Sequence, residues 1–445
     1  WMAENANEAI VIGQIHWKGC AYPVRKIDTG KQVFRVSVES LRDELINDMR
    51  NGIYEAMEAC EEIDAYCTDE ELEADRQALL AEGKMPRYMG KCRHLTPEQI
   101  AQYEKEGRKP TVRLRVPLNE EVSLDDMVRG HVSFDSNGIG DFVIVKSDGI
   151  PVYNYAVVID DHMMGITHVI RAEEHLSNTP RQIVIFNALG WEVPKFGHIS
   201  LILGKDYKKM SKRHGATSVE QYKNLGYLPE AINNFLALLG WAPEGEQELF
   251  TTEELIQNFS MDRVAKNPAV FDIDKLNWIN FNYMKKLTDE ELYELCLPHL
   301  QEVGYASANP DEAEKARLIM LCVCLKDHIS FGAQIKDEAK LFFTDELVQD
   351  AEHADDIAAV LQEESCPTVL QAFHDKLEAM EEVTPENVKA AIKAIMKETK
   401  LKGKFVFMPI RIAVTGQMHG PDLNYIVTLF GKEKTLNRLN AALAK

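Results

Sequence analysis

Short apolar runs alternate with a helix-like segment in the middle of the chain. From Asp141 onward, "DFVIVK", "YNYAVVI" and "THVIR" are rich in β-branched residues and are bounded by Gly, Pro or Asp, so each predicts a strand. "NTPRQIVIFNALGW" predicts a helix with Thr179 as its cap, Pro180 at the first helical position and Gly190 as its stop. The apolar run "FGHISLIL" predicts the next buried strand.

Strand, helix and strand in that order predict a parallel βαβ unit. In such units, loops at the carboxyl ends of the strands hold ligands. The segments "VIRAEEH" and "GKDYKKMSKR" fall in loops of this kind, so both are candidates for a binding site.

Beyond residue 218 the pattern is almost entirely helical. Capping patterns occur at "SVEQ", "TTEE" and "TDEE", and "PEAINNFLALLG" has a strong apolar face that ends at Gly240. The later segments predict an all-α domain, and we expect Cys322 and Cys324, within "LIMLCVCL", to lie in its core.

Nearer the N-terminus, "AIVIGQI", "KQVFRVSV" and "TVRLRVPL" predict strands. The segment from Ser40 to Cys60 and the acidic "TDEELEADRQALLAEG" predict helices.

Composition and charge narrow the class of protein. A chain of 445 residues exceeds one ordinary core and predicts two to four domains, and 45% hydrophobic residues suit a globular protein. No apolar stretch approaches the ~20 residues needed to span a bilayer. The first residues lack the layout of a secretory signal, and the eight cysteines are scattered, so we expect a cytoplasmic protein. The net charge of -21 argues against indiscriminate nucleic-acid binding but leaves local basic surfaces open.

One small basic island stands out against that charge. Five cationic side chains follow "HISLIL" within nine residues: Lys205, Lys208, Lys209, Lys212 and Arg213. A lysine-rich loop after a buried strand suits a clamp for a polyphosphate, although a solvated basic turn remains the alternative from charge alone. The order "KMSKR" resembles the second signature of the class I aminoacyl-tRNA synthetases.

Neighbouring segments make that resemblance narrower. "YNYAVVIDDHMMGITHVIRAEEHLSNTPRQ", "LGYLPEAINNFLALLGW", "AVFDIDKLNWIN" and "MPIRIAVTGQMHGPDL" together resemble bacterial glutamyl-tRNA synthetase over about residues 61 to 445. The resemblance implies an α/β Rossmann-type class I catalytic domain with an incomplete or divergent N-terminal half. It also implies an inserted acceptor-binding domain and an all-α anticodon-binding domain. The implied activity is the activation of L-glutamate by ATP, with Mg²⁺, followed by transfer to the 3′ end of tRNA(Glu).

The same resemblance assigns roles to individual residues. It implies that Lys209 and Lys212 are catalytic, that Lys212 and Glu174 contact ATP, and that Tyr153 and Arg171 bind glutamate. A guanidinium suits a carboxylate because its fork gives two parallel charge-assisted bonds. Without the resemblance, an ion pair of Arg171 with an adjacent acid, Glu173 or Glu174, remains the alternative. Val157 stands where some members place an amide side chain, so we expect that contact to be absent.

The implied domains follow the chain in order, and we expect a monomer without membrane contact. They are a divergent N-terminal part of the catalytic domain at 1–60, an inserted acceptor-stem region at 61–140, the second half of the catalytic domain at 141–217, a helical stem-contact region at 218–300 and the anticodon-binding domain at 301–445.

Residues 1 to 60 depart from the family pattern. They contain neither the "FAPSPTG" turn nor the His-x-Gly-His-like motif of the first signature; "QIHWKG" supplies a lone His16, and His198 in "FGHIS" lies in the wrong half of the sheet. Arg25 or Arg35 are the available substitutes for a missing arginine. Two alternatives to an enzyme therefore stay open, a tRNA-binding protein that lost activation chemistry and a truncated or misassembled reading frame.

A zinc site and a tRNA surface complete the implied features. Cys67, Cys92 and His94 match three of four zinc ligands in some members, while Ala65 occupies the fourth position, and Cys60 or Asp64 could complete the set. The alternative is two reduced cysteines and a surface histidine. In the helical tail, i, i+4 and i+3 steps predict that Lys389, Lys393, Lys397 and Lys400 line one helix face, with a merely solvated face as the alternative. The resemblance places this face, together with Arg411, against tRNA.

Overall fold

The computed structural model describes residues 14–17, 20–23, 62–210, 218–345, 347 and 350–444. The described residues form two compact units. One holds those up to Leu201 together with Ser260–Pro268, and the other holds Ile202–Phe259 with Ala269 onward. Apart from the backbone of a short hairpin, the elements predicted for residues 1 to 60 lie outside the described residues.

The described strands of the first unit pair in four small sheets. β1 and β2 form a hairpin, β5 and β6 form another, β4 pairs between β3 and β7 in an antiparallel sheet, and β8 lies parallel to β9. The bounds are β1 Gln14–Trp17, β2 Cys20–Pro23, β3 Glu62–Ala65, β4 Thr111–Leu114, β5 Glu121–Asp126, β6 Gly130–Asp135, β7 Val143–Val145, β8 His168–Ala172 and β9 Lys195–Ile199.

Helices of the first unit carry the start signals that the sequence shows. The acidic α1 begins after a capping box between Thr68 and Glu71, which confirms the helix predicted there. The bounds are α1 Asp69–Ala81, α2 Pro97–Lys105, α3 Ser136–Ile139, α4 Tyr153–Met163 and α5 Thr179–Ala188.

The predicted βαβ unit is present. β8, α5 and β9 follow one another, and β8 and β9 are parallel, with Arg171 opposite His198 in the register. Ile185 and Phe186 of α5 pack into a buried core with Ile144 of β7 and Val158 of α4. The βαβ unit therefore fixes the position of Arg171, next to the last residue of β8.

The strand predicted for "YNYAVVI" is wrong, because these residues begin α4. Tyr155, Val158 and Ile159 are its buried residues, at the i, i+3 and i+4 spacing of a helix face. β-branched content suggested a strand, but this spacing matches the helical period, and packing of that face against α5 decides the outcome.

Thr179 is not the cap of α5. Asn178 occupies that position, and Thr179 is the first helical residue, completely buried, so Pro180 is the second helical residue and not the first. The Thr179 hydroxyl lies within hydrogen-bonding distance of the His175 carbonyl and of the side chains of Arg171 and His198. Thr179 therefore contributes to the candidate site and does not cap the helix.

"FGHISLIL" is divided between the two units instead of forming one strand. β9 ends at Ile199, and the chain then forms β10, Ile202–Leu203, which pairs in parallel with β11, Ala269–Val270. The basic loop after β10 therefore belongs to the second unit.

Apart from β10 and β11, the second unit is helical, as predicted. Capping boxes are present at Ser218, Thr251 and Thr288. The large helical core includes Cys322 and Cys324, as expected. The bounds are α6 Val219–Asn224, α7 Pro229–Leu238, α8 Thr252–Asn258, α9 Ile273–Met284, α10 Asp289–Glu302, α11 Glu312–Leu325, α12 Ile335–Glu338, α13 Lys340–Phe343, α14 Ala354–Leu361, α15 Cys366–Glu378, α16 Pro385–Thr399, α17 Gly403–Thr415 and α18 Leu423–Leu443, which is interrupted at Gly431.

Candidate active site

Arg171 lies near the carboxyl end of β8 and is held from one side by the protein. Its Nη2 donates to Thr179 Oγ1 and to Gln182 Oε1, each at 2.8 Å. Its Nε lies 3.3 Å from Nε2 of His198, and its guanidinium carbon lies 5.3 Å from the centre of the Phe196 ring. These bonds hold the edge formed by Nε and Nη2 and do not involve Nη1.

Tyr153 lies beside Arg171, as the resemblance implied. It is the first residue of α4 and is 54% exposed, and its side chain lies close enough to the guanidinium to raise the pKa of Arg171. Its ring lies 6.3 Å from that of His175. The structure thus brings together both residues predicted to bind glutamate, with an exposed aromatic hydroxyl next to a held guanidinium.

The positive charge of Arg171 is not neutralised by an ion pair with an adjacent acid. Burial lowers the pKa of Arg171, while Tyr153 and Asp161 act in the opposite direction. Glu173 accepts a hydrogen bond from Arg129 instead, and its other oxygen accepts from the backbone of Leu201 at 3.2 Å. Because the partners that hold the guanidinium are neutral, its charge is available to a carboxylate.

Two other residues considered above for ATP and glutamate binding lie in or directly after the elements that carry Tyr153 and Arg171. Glu174 is an exposed residue of the short 3₁₀ turn Glu173–His175 that follows β8. Val157 is half-buried in α4, and its side chain has no hydrogen-bonding group for a substrate.

The basic loop starts as a tight turn. The backbone N–H of Gly204 donates to the carbonyl of Lys208 at 2.9 Å, and Lys209 bridges back to Leu203. Nζ of Lys205 lies 2.8 Å from Oδ2 of Asp274. Lys209 is exposed and belongs to the second unit, whereas Arg171 belongs to the first. Lys212 and Arg213 lie outside the described residues.

The three candidate zinc ligands are not gathered into a metal site. Sγ of Cys67 lies 3.5 Å from Sγ of Cys92, and the hydroxyl of Tyr88 accepts a hydrogen bond from the backbone of Cys92. His94 is exposed, and buried Ala65 packs with Cys92 in a small apolar cluster. Among the described residues, no three His, Cys, Asp or Glu side chains form a group that could hold a metal ion. Burial raises the pKa of the Cys67 thiol to about 11, and the neighbouring Cys92 adds to the shift.

The lysines predicted to contact tRNA form a shorter stripe than expected. Lys389, Lys393 and Lys397 are exposed on α16. The helix ends at Thr399, and Lys400 adopts a left-handed conformation with φ 56°, so its expected place on the same helical face is wrong.

Arg411 differs from the exposed lysines. It lies in α17, and its Nη2 donates to the carbonyl of Pro421 at 2.8 Å. Burial lowers the pKa of Arg411, against the effects of Asp422 and Cys324. Its Nη1 is buried without a hydrogen-bond partner in the described part of the chain. The residue is therefore a recessed cation rather than part of an open basic face.

Sequence reasoning missed the partners of Arg171. Thr179 was assigned to a helix cap, Gln182 and Asp126 were not singled out, and His198 was set aside because it did not fit the first signature. The only available signal was the buried-strand position of a polar residue in "FGHIS". No helix in the described part of the chain has both the length and the apolar character for crossing a bilayer.

Two families of known proteins match most of the chain. A family described as tRNA synthetases class I (E and Q), catalytic domain, matches residues 39–278, and an anticodon binding domain family matches residues 291–443. The first match begins at residue 39, so the similarity starts earlier than the residue 61 expected above.

Individual relatives agree with these matches. The chain is 50% identical over 437 residues to a glutamate–tRNA ligase of Desulforamulus reducens, covering 98% of this chain and 89% of the relative. It is 55% identical over 377 residues to one of Heliobacterium modesticaldum, covering 85% and 75%. A crystal structure of a glutamate tRNA ligase from Elizabethkingia meningosepticum, in complex with its amino acid, aligns with a TM-score of 0.76 at 27% identity, covering 95% of this chain and 86% of that one. The chain belongs to the glutamate–tRNA ligase family of class I aminoacyl-tRNA synthetases.

Proposed function

We propose that the chain is a glutamate–tRNA ligase, which activates L-glutamate with ATP and transfers it to the 3′ end of tRNA(Glu). The observation that carries the proposal is the guanidinium of Arg171. It is held on one edge by neutral partners and lies next to Tyr153, in a chain of this family. This arrangement suits a small carboxylate substrate, because the bonds to His198, Thr179 and Gln182 leave Nη1 for charge-assisted bonds, and a pre-positioned guanidinium loses little entropy on forming them.

The ATP side of the reaction rests on the basic loop. Lys209 and Lys212 are proposed to stabilise the negative charge that develops on the phosphates as the glutamate carboxylate attacks, and Glu174 to lie near the nucleotide. Mg²⁺ is proposed to accompany the phosphates, as it does in most ATP sites. Zinc has no part in the proposal, because Cys67, Cys92 and His94, with the other described residues, do not form a group that could hold a metal ion; Cys60 lies outside the described residues.

The tRNA side rests on the helical tail. Exposed lysines of α16 offer a basic stripe on a chain with a net charge of -21, which favours a local contact with phosphates. Lys389, Lys393 and Lys397 are the proposed stripe, Lys400 adds a cation at its end, and recessed Arg411 is proposed to contact tRNA separately. The domain limits given above stay part of the proposal, as do a monomeric state and action in the cytoplasm.

A charging assay with matched variants tests the proposal. The chain is incubated with tRNA(Glu), labelled glutamate and ATP–Mg²⁺, and acid-precipitable label is measured for the wild type, Arg171→Lys, Lys212→Ala and Lys208→Ala. We expect charging by the wild type and by Lys208→Ala, and a loss of roughly 100-fold or more in Lys212→Ala. Arg171→Lys should raise the KM for glutamate, because a lysine lacks the planar fork.

The opposite result selects the other candidate. Salt-sensitive tRNA binding with no charging by the wild type would replace the proposal with a non-catalytic tRNA-binding protein, the alternative raised by the departure of residues 1 to 60 from the first signature.

A further inference from the structure

A buried histidine–carboxylate pair lies behind Arg171 and has no role in the function proposed so far. Nδ1 of His198 lies 2.6 Å from Oδ2 of Asp126, and neither side chain is exposed. Oδ1 of Asp126 accepts hydrogen bonds from the backbone N–H groups of Val128, Arg129 and His198, at 2.9, 2.8 and 3.2 Å. A fully buried charge with four donors around it is a costly arrangement, which a simple packing role does not explain.

The surroundings select one protonation state of this pair. Burial opposes the charge of Asp126, but hydrogen bonds from Arg129, His198 and Val128 outweigh it and lower the pKa of the carboxyl. Burial lowers the pKa of the His198 imidazole, with Asp126 opposing this and Arg171 and Arg129 adding to it. A neutral imidazole beside a carboxylate must donate from Nδ1, which leaves a lone pair on Nε2.

That lone pair faces the guanidinium. Nε of Arg171 lies 3.3 Å from Nε2 of His198, and Thr179 Oγ1 lies 2.9 Å from the same nitrogen. Thr179 Oγ1 also accepts from Nη2 of Arg171 at 2.8 Å. A continuous set of bonds therefore runs from Asp126 through His198 and Thr179 to one edge of Arg171. If the imidazole carried its proton on Nε2, two N–H donors would point at each other.

We propose that His198 and Asp126 are positioning residues for the amino-acid substrate: Asp126 fixes the tautomer of His198, and His198 holds the Nε edge of Arg171 so that its Nη1 group meets a glutamate carboxylate. The inference rests on the proposed function, and it adds two residues that do not touch the substrate. Their contribution acts through Arg171, so it falls on substrate binding and not on ATP or tRNA.

Variants of both residues separate positioning from folding. His198→Gln places an amide oxygen close to the position of Nε2 and keeps an acceptor, whereas His198→Met has a similar length and no such acceptor. Asp126→Asn offers an amide donor to Nδ1 and so favours the other tautomer. We expect His198→Met and Asp126→Asn to raise the KM for glutamate by roughly 10- to 100-fold, the range for a lost bond to a charged group, with the KM for ATP and for tRNA unchanged. His198→Gln should remain within about threefold of the wild type, since it retains the acceptor for Arg171.

Asp141→Asn is the matched control. Asp141 is also a buried carboxylate of the first unit, but it pairs with Arg93, at 2.6 Å, and is not a partner of Arg171. Its variant should lower the melting temperature and leave the KM for glutamate unchanged. A wild type that charges tRNA, together with a similar KM for glutamate in His198→Met, Asp126→Asn and the control, would overturn the inference alone.

Nitrogen NMR of the wild type gives a readout that does not depend on activity. The imidazole of His198, assigned by comparison with His198→Gln, should show a protonated Nδ1 and an unprotonated Nε2 at neutral pH. A protonated Nε2 would overturn the positioning role even in an active enzyme. A wild type that neither binds nor charges glutamate would instead remove the proposed function itself, and the inference with it.

Discussion

Gly226 lies directly against Gly332, so that a Cβ added to Gly226 would come within 2.8 Å of the Cα of Gly332. Gly226 follows α6 with a φ of +80°, and its carbonyl accepts a hydrogen bond from the N–H of Gly332 at 3.1 Å. His299 of α10 closes the third side, with Nε2 at 3.1 Å from the same added atom. This contact joins the turn after α6 to the helical core without room for a side chain.

Gly226→Ala should therefore be strongly destabilising. The substitution combines a left-handed backbone with overpacking against a neighbouring backbone, for a total loss of roughly 2–4 kcal/mol in the free energy of unfolding. Gly245→Ala is the matched control, because Gly245 has a φ of +85° and nothing within 4 Å of an added Cβ. Urea denaturation followed by circular dichroism measures both, and equal losses would contradict the close approach.

The buried state of His198 predicts a pH dependence of stability. Its folded pKa is lowered, so below about pH 6.5 the unfolded chain binds a proton that the folded chain does not. Stability should fall as the pH drops from 7.5 to 5.5, by at most about 1.4 kcal/mol per pH unit from this group. The lowered pKa of Asp126 stabilises the fold above the unfolded pKa of about 3.9, and its contribution is lost at lower pH than this window.

Comparison with His198→Gln isolates that contribution. His299 also has a pKa lowered by burial, and its effect cancels between the two proteins. The wild type should lose more stability than His198→Gln between the two pH values. A constant difference across the window would show that His198 titrates alike in the folded and unfolded chains.

Lys205 should differ from the other cations of its loop. Its Nζ pairs with Asp274 at 2.8 Å and lies 3.9 Å from Asp272, although all three side chains are largely exposed. An exposed pair contributes about 0–1 kcal/mol, so Lys205→Ala should change stability by no more than that. Charging of tRNA should fall less than about threefold in Lys205→Ala, in contrast to the large loss expected for Lys212→Ala. Equal losses in the two variants would give Lys205 a catalytic part.

Ala65 stands where a third thiol would complete the cluster of Cys67 and Cys92, so its substitution tests zinc binding there. Ala65 ends β3, two positions before Cys67, and is buried against Cys92. The wild type should keep its melting temperature when a chelator is added. Ala65→Cys supplies a third thiolate ligand and should bind zinc, with a rise in melting temperature that the chelator removes.

The control for that gain is the double variant Ala65→Cys with Cys92→Ala. It should show no zinc-dependent rise, because it returns to two thiols. A fall in the melting temperature of the wild type on chelation would contradict the metal-free description of this cluster.

Local signals predicted much of the fold around the site. Pro180 and Gly190 delimit α5, and the capping residues of the helical unit stand at the expected helix starts. The misassigned α4 shows the limit of composition, because its β-branched residues suggested a strand while its buried spacing was helical. Lys400 was placed on a helical face that ends one residue earlier, a boundary fixed by backbone conformation.

The support behind Arg171 could not be predicted in the same way. His198 and Asp126 lie 72 positions apart and meet only because β5 and β9 pack together. No periodicity links them, and each side chain by itself resembles an ordinary polar residue next to a strand. The resemblance supplied Tyr153 and Arg171, whereas the bonds that fix their geometry required the folded chain.

Charging of total tRNA with each amino acid in turn determines which amino acid and which tRNA the chain joins. The chain is incubated with ATP–Mg²⁺ and one labelled amino acid at a time, and the labelled tRNA is identified by sequence-specific hybridisation. The account predicts an ATP-dependent ester of glutamate at the 3′ end of tRNA(Glu). Attachment of a different amino acid, or no ATP-dependent attachment with any of them, would contradict it.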